Sequence, residues 1–198
     1  MNSKDILKEY NEKADKYKAL GYDVEKERKY FLNKILPLSG KILEVGTGRG
    51  NLTLELARNG YSFITIDIQK NVQLKAKEYL KFFKLEKHVA FLIEDVCNLS
   101  FTDDSFDVIV SLNTLHHLTE PFKAADELIR VLETKGRIAI SEFNEKGFKI
   151  IDEMHSARGE KHDIQGISLN NFFMYLKKKN FSIKKYKGKF QDIFIAER

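Results

Sequence analysis

The sequence predicts an α/β fold: a doubly wound, mostly parallel seven-stranded sheet with an antiparallel C-terminal hairpin and an N-terminal helical extension. Three observations carry this. From about residue 41 onward, strand-like and helix-like segments alternate, the pattern of parallel strands joined by crossover helices on both faces. The stretch Phe106–Leu112 is apolar on both faces, as in a buried parallel strand. Two β-rich stretches, Phe181–Tyr186 and Phe190–Ala196, flank Lys187-Gly188-Lys189 and read as a hairpin.

The elements follow in order. Residues 1–36 read as helical and charged, with Ile6, Leu7, Tyr10, Ala14 and Tyr17 near helical spacing. Such a segment can pack on the sheet or lie across its ligand edge. Lys41–Val45 is a short apolar strand ending at a glycine-rich turn, and Asn51–Arg58 carries Leu52, Leu56 and Ala57 on one helix face. Ser62–Ile66 is β-branched and aromatic, Asn71–Phe83 is helical in pattern, and Val89–Ile93 is a third strand. A helix opens at Thr119-Glu-Pro121, where proline's missing N–H costs nothing, and runs to about Leu132. Arg137–Phe143 is the fifth strand. Ser168–Lys179 is a helix capped by Ser168 or Asn170. Residues 155–167 read as a loop.

Composition narrows the class. The chain has 198 residues, 42% hydrophobic and 32% charged, which suits one globular domain with a sizeable core. No stretch approaches the roughly 20 apolar residues of a membrane-spanning helix, and the N-terminus does not read as a secretory signal. Cys97 is the only cysteine, which excludes an internal disulfide framework and any multi-cysteine metal site. A cytoplasmic location is the default expectation. The net charge of +5 is uneven: residues 168–198 hold seven Lys and one Arg against one Asp and one Glu. A basic end can serve RNA or an acidic substrate, but solvated helix faces and guarded edge strands produce the same pattern.

The chemistry starts at Glu44-Val-Gly-Thr-Gly-Arg-Gly50, between a strand and a helix. Glycines there let the chain turn tightly and let a ligand approach without a Cβ in the way. The dinucleotide pattern G-x-G-x-x-G fails at Asn51, and the Gly-Lys-Ser/Thr ending of a P-loop is missing. Glu44 puts a carboxyl group beside the loop, which suits a cationic or amino-bearing ligand better than a phosphate. Asp67 follows Gly46 by 21 residues at the end of the second strand, where an acid can accept from ribose hydroxyls. It can equally cap the next helix. Asp95-Val96 ends the third strand and could read an adenine edge, or simply form a surface turn.

These residues resemble the class I methyltransferases, most closely the quinone-methyltransferase-like group called type 11. The resemblance rests on Ile42-Leu-Glu-Val-Gly-Thr-Gly-Arg-Gly-Asn-Leu-Thr53, on Phe106–Leu118, on Glu127-Leu-Ile-Arg-Val-Leu132 with Gly136-Arg-Ile-Ala-Ile140, and on Asn11–Tyr17. One departure is Thr134-Lys135-Gly136, where the family usually has Pro-Gly-Gly. The resemblance implies a Rossmann-like fold, methyl transfer, and S-adenosyl-L-methionine as cofactor. Gly46 and Gly48 would then shape the turn beneath the methionine part, with Glu44 supporting it and Asn51 following. Asp67 would hold the ribose, Ile68 would pack on adenine, and Asp95 and Val96 would read its edge. The backbone of Ser111 would meet the methionine amino group, and Tyr17 would help cover the site. The whole chain, 1–198, would be one methyltransferase domain: a helical cap (1–36), a cofactor-binding core (41–143) and an acceptor side (144–198).

Methyl transfer needs a base only if the acceptor must lose a proton. His116 and His117, just past the fourth strand, are the candidates, although one of two consecutive side chains can equally be a packing residue. His155 and His162, with Arg158, Glu160 and Asp163, have ligand chemistry but no compact metal spacing, so no metal is expected. Cys97 has no paired base nearby in sequence and reads as a small half-buried thiol. The fourth-strand segment Ser111-Leu-Asn-Thr lacks the Asn/Asp-Pro-Pro-Tyr/Phe pattern of methyltransferases acting on bases. A small-molecule acceptor is therefore expected, without a membrane partner. An RNA or protein acceptor, a non-catalytic cofactor-binding domain and a nicotinamide-dependent oxidoreductase stand as alternatives.

Overall fold

The structure, a computed structural model, describes residues 3–156, 159 and 167–198. Seven strands form one sheet in the order β3-β2-β1-β4-β5-β7-β6. They are β1 (Ile42–Val45), β2 (Phe63–Asp67), β3 (Val89–Ile93), β4 (Phe106–Leu112), β5 (Leu132–Phe143), β6 (Ser182–Lys187) and β7 (Gln191–Glu197). β1 to β5 run parallel to one another, and β7 runs antiparallel to both β5 and β6. The expected hairpin is present, with β7 inserted beside β5 and the lysine-rich β6 at the edge. Lysine on an edge strand discourages pairing with another chain.

Side chains alternate between two cores, one on each face, because strand residues point to opposite sides. Leu43, Val45, Ile109, Ile138, Ile140, Phe194 and Ala196 lie in one cluster. Ile42, Val108, Val110, Ala139, Ile193 and Ile195 lie in the other. The first face is covered by α5 (Pro121–Val131) through Ala124, Ala125 and Leu128, and by α7 (Leu169–Lys178) through Phe172, Phe173 and Leu176. The second is covered by α2 (Val24–Ile35) through Phe31, Leu32 and Ile35, and by α3 (Asn51–Arg58) through Leu52, Leu54 and Leu56. α4 (Lys70–Phe82) adds Leu80 to that face. Both faces are thus covered by helices, as the apolar run of β4 demands.

The N-terminal extension is two helices, α1 (Ser3–Ala19) and α2. α1 is tied to α4 by Tyr10 set edge-on to Tyr79, centroids 5.3 Å apart, and by a 2.7 Å pair between Lys75 and Glu9. Ser168 caps α7, accepting from the Asn171 amide at 3.3 Å.

Two expectations need correction. The fifth strand starts at Leu132, not Arg137, because Leu132 already pairs with Phe106 across a register shift. Turn-forming Thr134-Lys135-Gly136 hid that pairing in the sequence. A helix missed in the sequence, α6 (Glu145–Ser156), follows β5, so His155 sits in its last turn and not in a loop. Arg158, Glu160, His162 and Asp163 lie outside the described residues.

Candidate active site

The strand order reverses between β1 and β4, and parallel sheets place their ligands in the crevice at that point. A cavity of about 680 Å³ opens there, within the ~300–1,000 Å³ of small-molecule sites. On its β2–β3 side it is lined by Gly48, Asp67, Ile68, Asp95 and Val96. On its β4–β5 side it is lined by Asn113, His116, His117 and Phe143, with Tyr17 of α1 and Ile151 and His155 of α6.

The glycine loop divides its labour. Gly46 has φ +83°, and a Cβ there would lie 2.1 Å from Thr114 Oγ1, so this glycine makes room for the turn after β4. Gly48, at φ +49°, would direct its Cβ into open space, and it is the glycine that leaves a path for a ligand. The amides of Gly46 and Thr47 both donate to Ile66 O, at 2.9 and 3.0 Å, and Gly50 donates to Thr47 O at 2.9 Å. Gly48 N donates to Asp67 Oδ2 at 2.8 Å. A pyrophosphate needs converging, uncommitted amides, whereas those of Gly46, Thr47 and Gly48 are committed to β2 and that of Gly50 to Thr47 O.

Asp67 accepts one amide on each oxygen, from Gly48 to Oδ2 and from Gln69 to Oδ1 at 2.9 Å. Each carboxylate oxygen keeps a second lone pair for the cavity. Asp67 therefore braces the loop and also faces the site. Ile68 is 64% exposed, an apolar side chain waiting for a flat cover. Asp95 lies two residues past β3, where its Oδ1 accepts from the Cys97 amide at 2.8 Å and shapes the turn. Cys97 is buried, and burial pushes its thiol pKa up, in keeping with a packing thiol. Arg130 clamps the same loop, donating to Leu99 O at 3.0 Å and Phe101 O at 2.8 Å.

Two expected residues stand behind the cavity wall. Ser111 is buried and donates its hydroxyl to Val45 O at 2.8 Å, stitching β4 to β1. The wall itself starts at Leu112 and Asn113, where a positive φ of 54° turns the chain. Glu44 is 1% exposed and accepts from Thr53 Oγ1 at 2.7 Å, under the loop and not in the site. Burial pushes its carboxyl from 4.5 up to about 8, against the hydrogen bond that favours the charge. It is therefore a neutral brace below that pH rather than a charge beside the ligand. The folded state holds this proton more tightly than the unfolded chain. That contribution to stability is complete below about 4.5 and fades, at up to ~1.4 kcal/mol per pH unit, as pH rises through about 8. Glu44→Gln keeps an acceptor for Thr53 and should flatten the decline. Urea unfolding of the ligand-free protein at several pH values between these limits reads the slope, and an unchanged slope contradicts the assignment.

His116 is 4% exposed, and its Nδ1 lies 2.9 Å from Oε1 of Glu142, itself 3% exposed at the end of β5. Glu142 is fixed in turn by the amides of His116 (3.2 Å) and Phe143 (2.9 Å). A carboxylate at ion-pair distance restricts how the imidazole can sit. The more exposed His117 packs against the same ring, centroids 3.9 Å apart. Glu142 was missed in the sequence, although an acid at the carboxyl end of a predicted parallel strand is a usable signal. Arg28 was also missed. It sits in a run of charges on α2 that gives no hint that it turns inward to donate to Asn51 Oδ1 at 2.5 Å.

The basic C-terminal end is partly neutralised. Lys179 pairs with Asp126 at 3.2 Å, Lys184 with Glu197 at 2.8 Å and Lys185 with Asp192 at 3.6 Å. Among the described residues, no group of three or more His, Cys, Asp or Glu could hold a metal ion, and no helix is long and apolar enough to cross a membrane.

Residues 43–140 match the family described as "Methyltransferase domain". These residues belong to this methyltransferase family. A demethylmenaquinone methyltransferase of Clavibacter sepedonicus is 33% identical over 111 residues, 56% of this chain and 44% of that protein. A ubiquinone/menaquinone biosynthesis C-methyltransferase of Rickettsia prowazekii is 29% identical over 120 residues, 58% of this chain and 48% of that protein. The matches thus span less than half the length of these relatives. Among solved structures, a SAM-dependent methyltransferase from Aquifex aeolicus superposes with a TM-score of 0.67 at 22% identity, covering 99% of this chain and 98% of that one. That likeness establishes a Rossmann-like methyltransferase fold for this chain.

Proposed function

We propose that this chain is an enzyme that transfers the methyl group of S-adenosyl-L-methionine to a small molecule that must lose a proton on reaction. One observation carries the reading. A single cavity at the sheet's switch point has a nucleoside-type half on the β2–β3 side and a buried His116–Glu142 pair on the β4–β5 side.

Asp67 offers its remaining lone pairs to ribose hydroxyls, Ile68 covers the adenine, and Asp95 with the Val96 backbone reads the adenine edge. Gly48 leaves the approach for the methionyl chain. Leu112 and Asn113, rather than Ser111, meet its amino group. Tyr17 of α1 closes the cavity from above. The cofactor supplies a methyl group on a sulfonium, transferred by in-line displacement with departure of a neutral thioether. The protein needs no nucleophile of its own; positioning and exclusion of water provide most of the acceleration. His116 takes the acceptor's proton, Glu142 holds the ring for that task, and His117 stacks beside it. Phe143, Ile151 and His155 shape the acceptor's surroundings. The reading treats residues 1–198 as one domain in which α1 and α2 cap the donor and α6 faces the acceptor. The lysine–acid pairs and the small-molecule names of the relatives support a small acceptor over RNA.

Calorimetry with S-adenosylmethionine, S-adenosylhomocysteine and NAD tests the donor, and a labelled-donor screen tests transfer. The first two ligands should bind and NAD should not. Asp67→Ala should weaken S-adenosylhomocysteine about 10- to 100-fold, the worth of one or two charge-assisted hydrogen bonds. Asp67→Asn, which can still accept an amide, should fold normally and lose less. Unchanged affinity in Asp67→Ala would refute the ribose assignment.

A further inference from the structure

The two edges of the sheet are built differently. At one end β6 carries Lys184, Lys185 and Lys187, which would repel one another if two copies paired along it. At the other end β3, Val89-Ala-Phe-Leu-Ile93, has no charged residue. Its one strand neighbour is β2. Backbone groups along a strand point alternately to either side. The Glu94 amide points inward, donating to Asp67 O at 3.2 Å, and Leu92 O accepts from Gln73 Nε2 of α4 at 2.8 Å. By that alternation Phe91 and Ile93 present their N–H and C=O groups to the open edge.

The side chains along this edge are open too. Leu92 is 37% exposed, Ile93 48% and Leu74 of α4 52%. Lys77 Nζ lies 5.0 Å from the Phe91 ring centre, which sets α4 alongside the edge, and Leu74 is one turn earlier on the same helix face. An uncharged apolar edge strand is a template for pairing with another chain.

The charges that flank β3 select the partner. Lys87 and His88 precede the strand, and Glu94 and Asp95 follow it. The hydrogen bonds that Glu94 and Asp95 accept come from neutral groups of Ser100 and Cys97, which leave their charge uncompensated. A two-fold axis at Phe91 pairs β3 antiparallel with itself. Lys87 then faces Asp95 of the second copy, and His88 faces Glu94. Phe91 exchanges backbone bonds with its own equivalent, and Val89 with Ile93, while small Ala90 lies opposite Leu92. Moving the axis to residue 90 sets Lys87 against Ile93, and moving it to residue 92 sets Asp95 against Val89. A parallel pairing brings like charges together and does not close under a two-fold axis.

We infer that β3 is a dimer interface, through which two copies of this chain join antiparallel about a two-fold axis at Phe91 to make one continuous sheet. A second copy fits better than a foreign strand because the charges flanking the edge complement themselves. The inference is independent of the methyl-donor reading.

Sedimentation of the wild type from micromolar to millimolar concentration should show a species of twice the 23.0 kDa chain mass. Leu92→Lys places a charge on the exposed edge, and Lys87→Glu sets an acid against Asp95. Each change occurs twice in a two-fold interface, so each should weaken the dimer at least about tenfold. Lys187→Glu on β6 is the control and should leave the dimer unchanged. Cysteines read the register. Ala90→Cys and Leu92→Cys chains, mixed and treated with oxidised glutathione, should cross-link, because a directly opposed, non-hydrogen-bonded pair lies within disulfide reach. Either variant alone sets its new cysteines on the diagonal, beyond that reach, and Cys97 is buried, so neither alone should cross-link. A wild type that stays monomeric throughout would overturn the proposal, even if the edge then captured a strand of another protein. So would a dimer that survives both β3 variants, a dimer lost in Lys187→Glu, or a cysteine variant that cross-links as well alone as in the mixture. If Leu92→Lys does not fold, Lys87→Glu, at an exposed position outside the sheet, carries the same test.

Discussion

Replacing His116 with alanine should lower kcat about 100- to 10,000-fold, the usual worth of a positioned general base, while S-adenosylhomocysteine affinity stays near wild type. The split follows from placement. His116 stands in the turn just past β4, across the sheet's switch point from Asp67 and Asp95. Glu142→Gln should reproduce much of the loss. It removes the charge 2.9 Å from His116 Nδ1 and keeps one oxygen, which can accept from one of the two backbone amides, His116 or Phe143, that Glu142 binds on separate oxygens. The double variant should be no worse than His116→Ala, because the two residues act as one unit. Single-turnover rates on an acceptor found with labelled donor provide the measurement. Full activity in His116→Ala would mean that the acceptor arrives already deprotonated or needs no base. Since Glu142 is buried, losing His116 also strips a partner from a carboxylate, so a fall in Tm is expected in His116→Ala and less in Glu142→Gln.

The second large effect separates two glycines that look equivalent in the motif. Gly46→Ala should destabilise the fold by about 2–5 kcal/mol, combining overpacking with the cost of a left-handed backbone for a residue bearing a Cβ. The new methyl group would lie 2.1 Å from Thr114 Oγ1 and 2.7 Å from its Cγ2. Gly48→Ala meets nothing within 4 Å and should lose only the backbone cost, about 1 kcal/mol. Its methyl group instead enters the approach left for the methionyl chain, so S-adenosylhomocysteine binding should fall at least about tenfold. Thermal melts and calorimetry on the pair read both effects. Comparable melts, or comparable binding losses, would contradict the division of labour.

These contrasts mark where sequence reading reached and where it stopped. Asp67 was legible because the strand-end acid falls at a fixed offset from the loop, and the structure sets it against both the loop and the cavity. The strand pattern likewise announced the two-faced core, because a period of two with both faces apolar has few other solutions. Glu44 was legible as important and misread in its setting. Its carboxyl group lies next to the loop in sequence but under it in space. Ser111 lies behind the cavity wall, which starts at Leu112 and Asn113, and the turn at Asn113 depends on a positive φ that no spacing rule shows. α6 escaped notice because Gly147 and the charged residues around it weaken its helical pattern, although it buries Ile151 and Met154.

The sequence by itself determined the architecture and the identity of the loop, because period, glycine placement and strand-end acids are local properties of the chain. Only the tertiary structure decided which groups share a cavity. Glu142 meets His116 across 26 positions, and Arg28 meets Asn51 across 23. Pairings at that range are set by how β5 lies beside β4 and how α2 packs on α3. Neither arrangement is written in the residues immediately around the side chains it brings together.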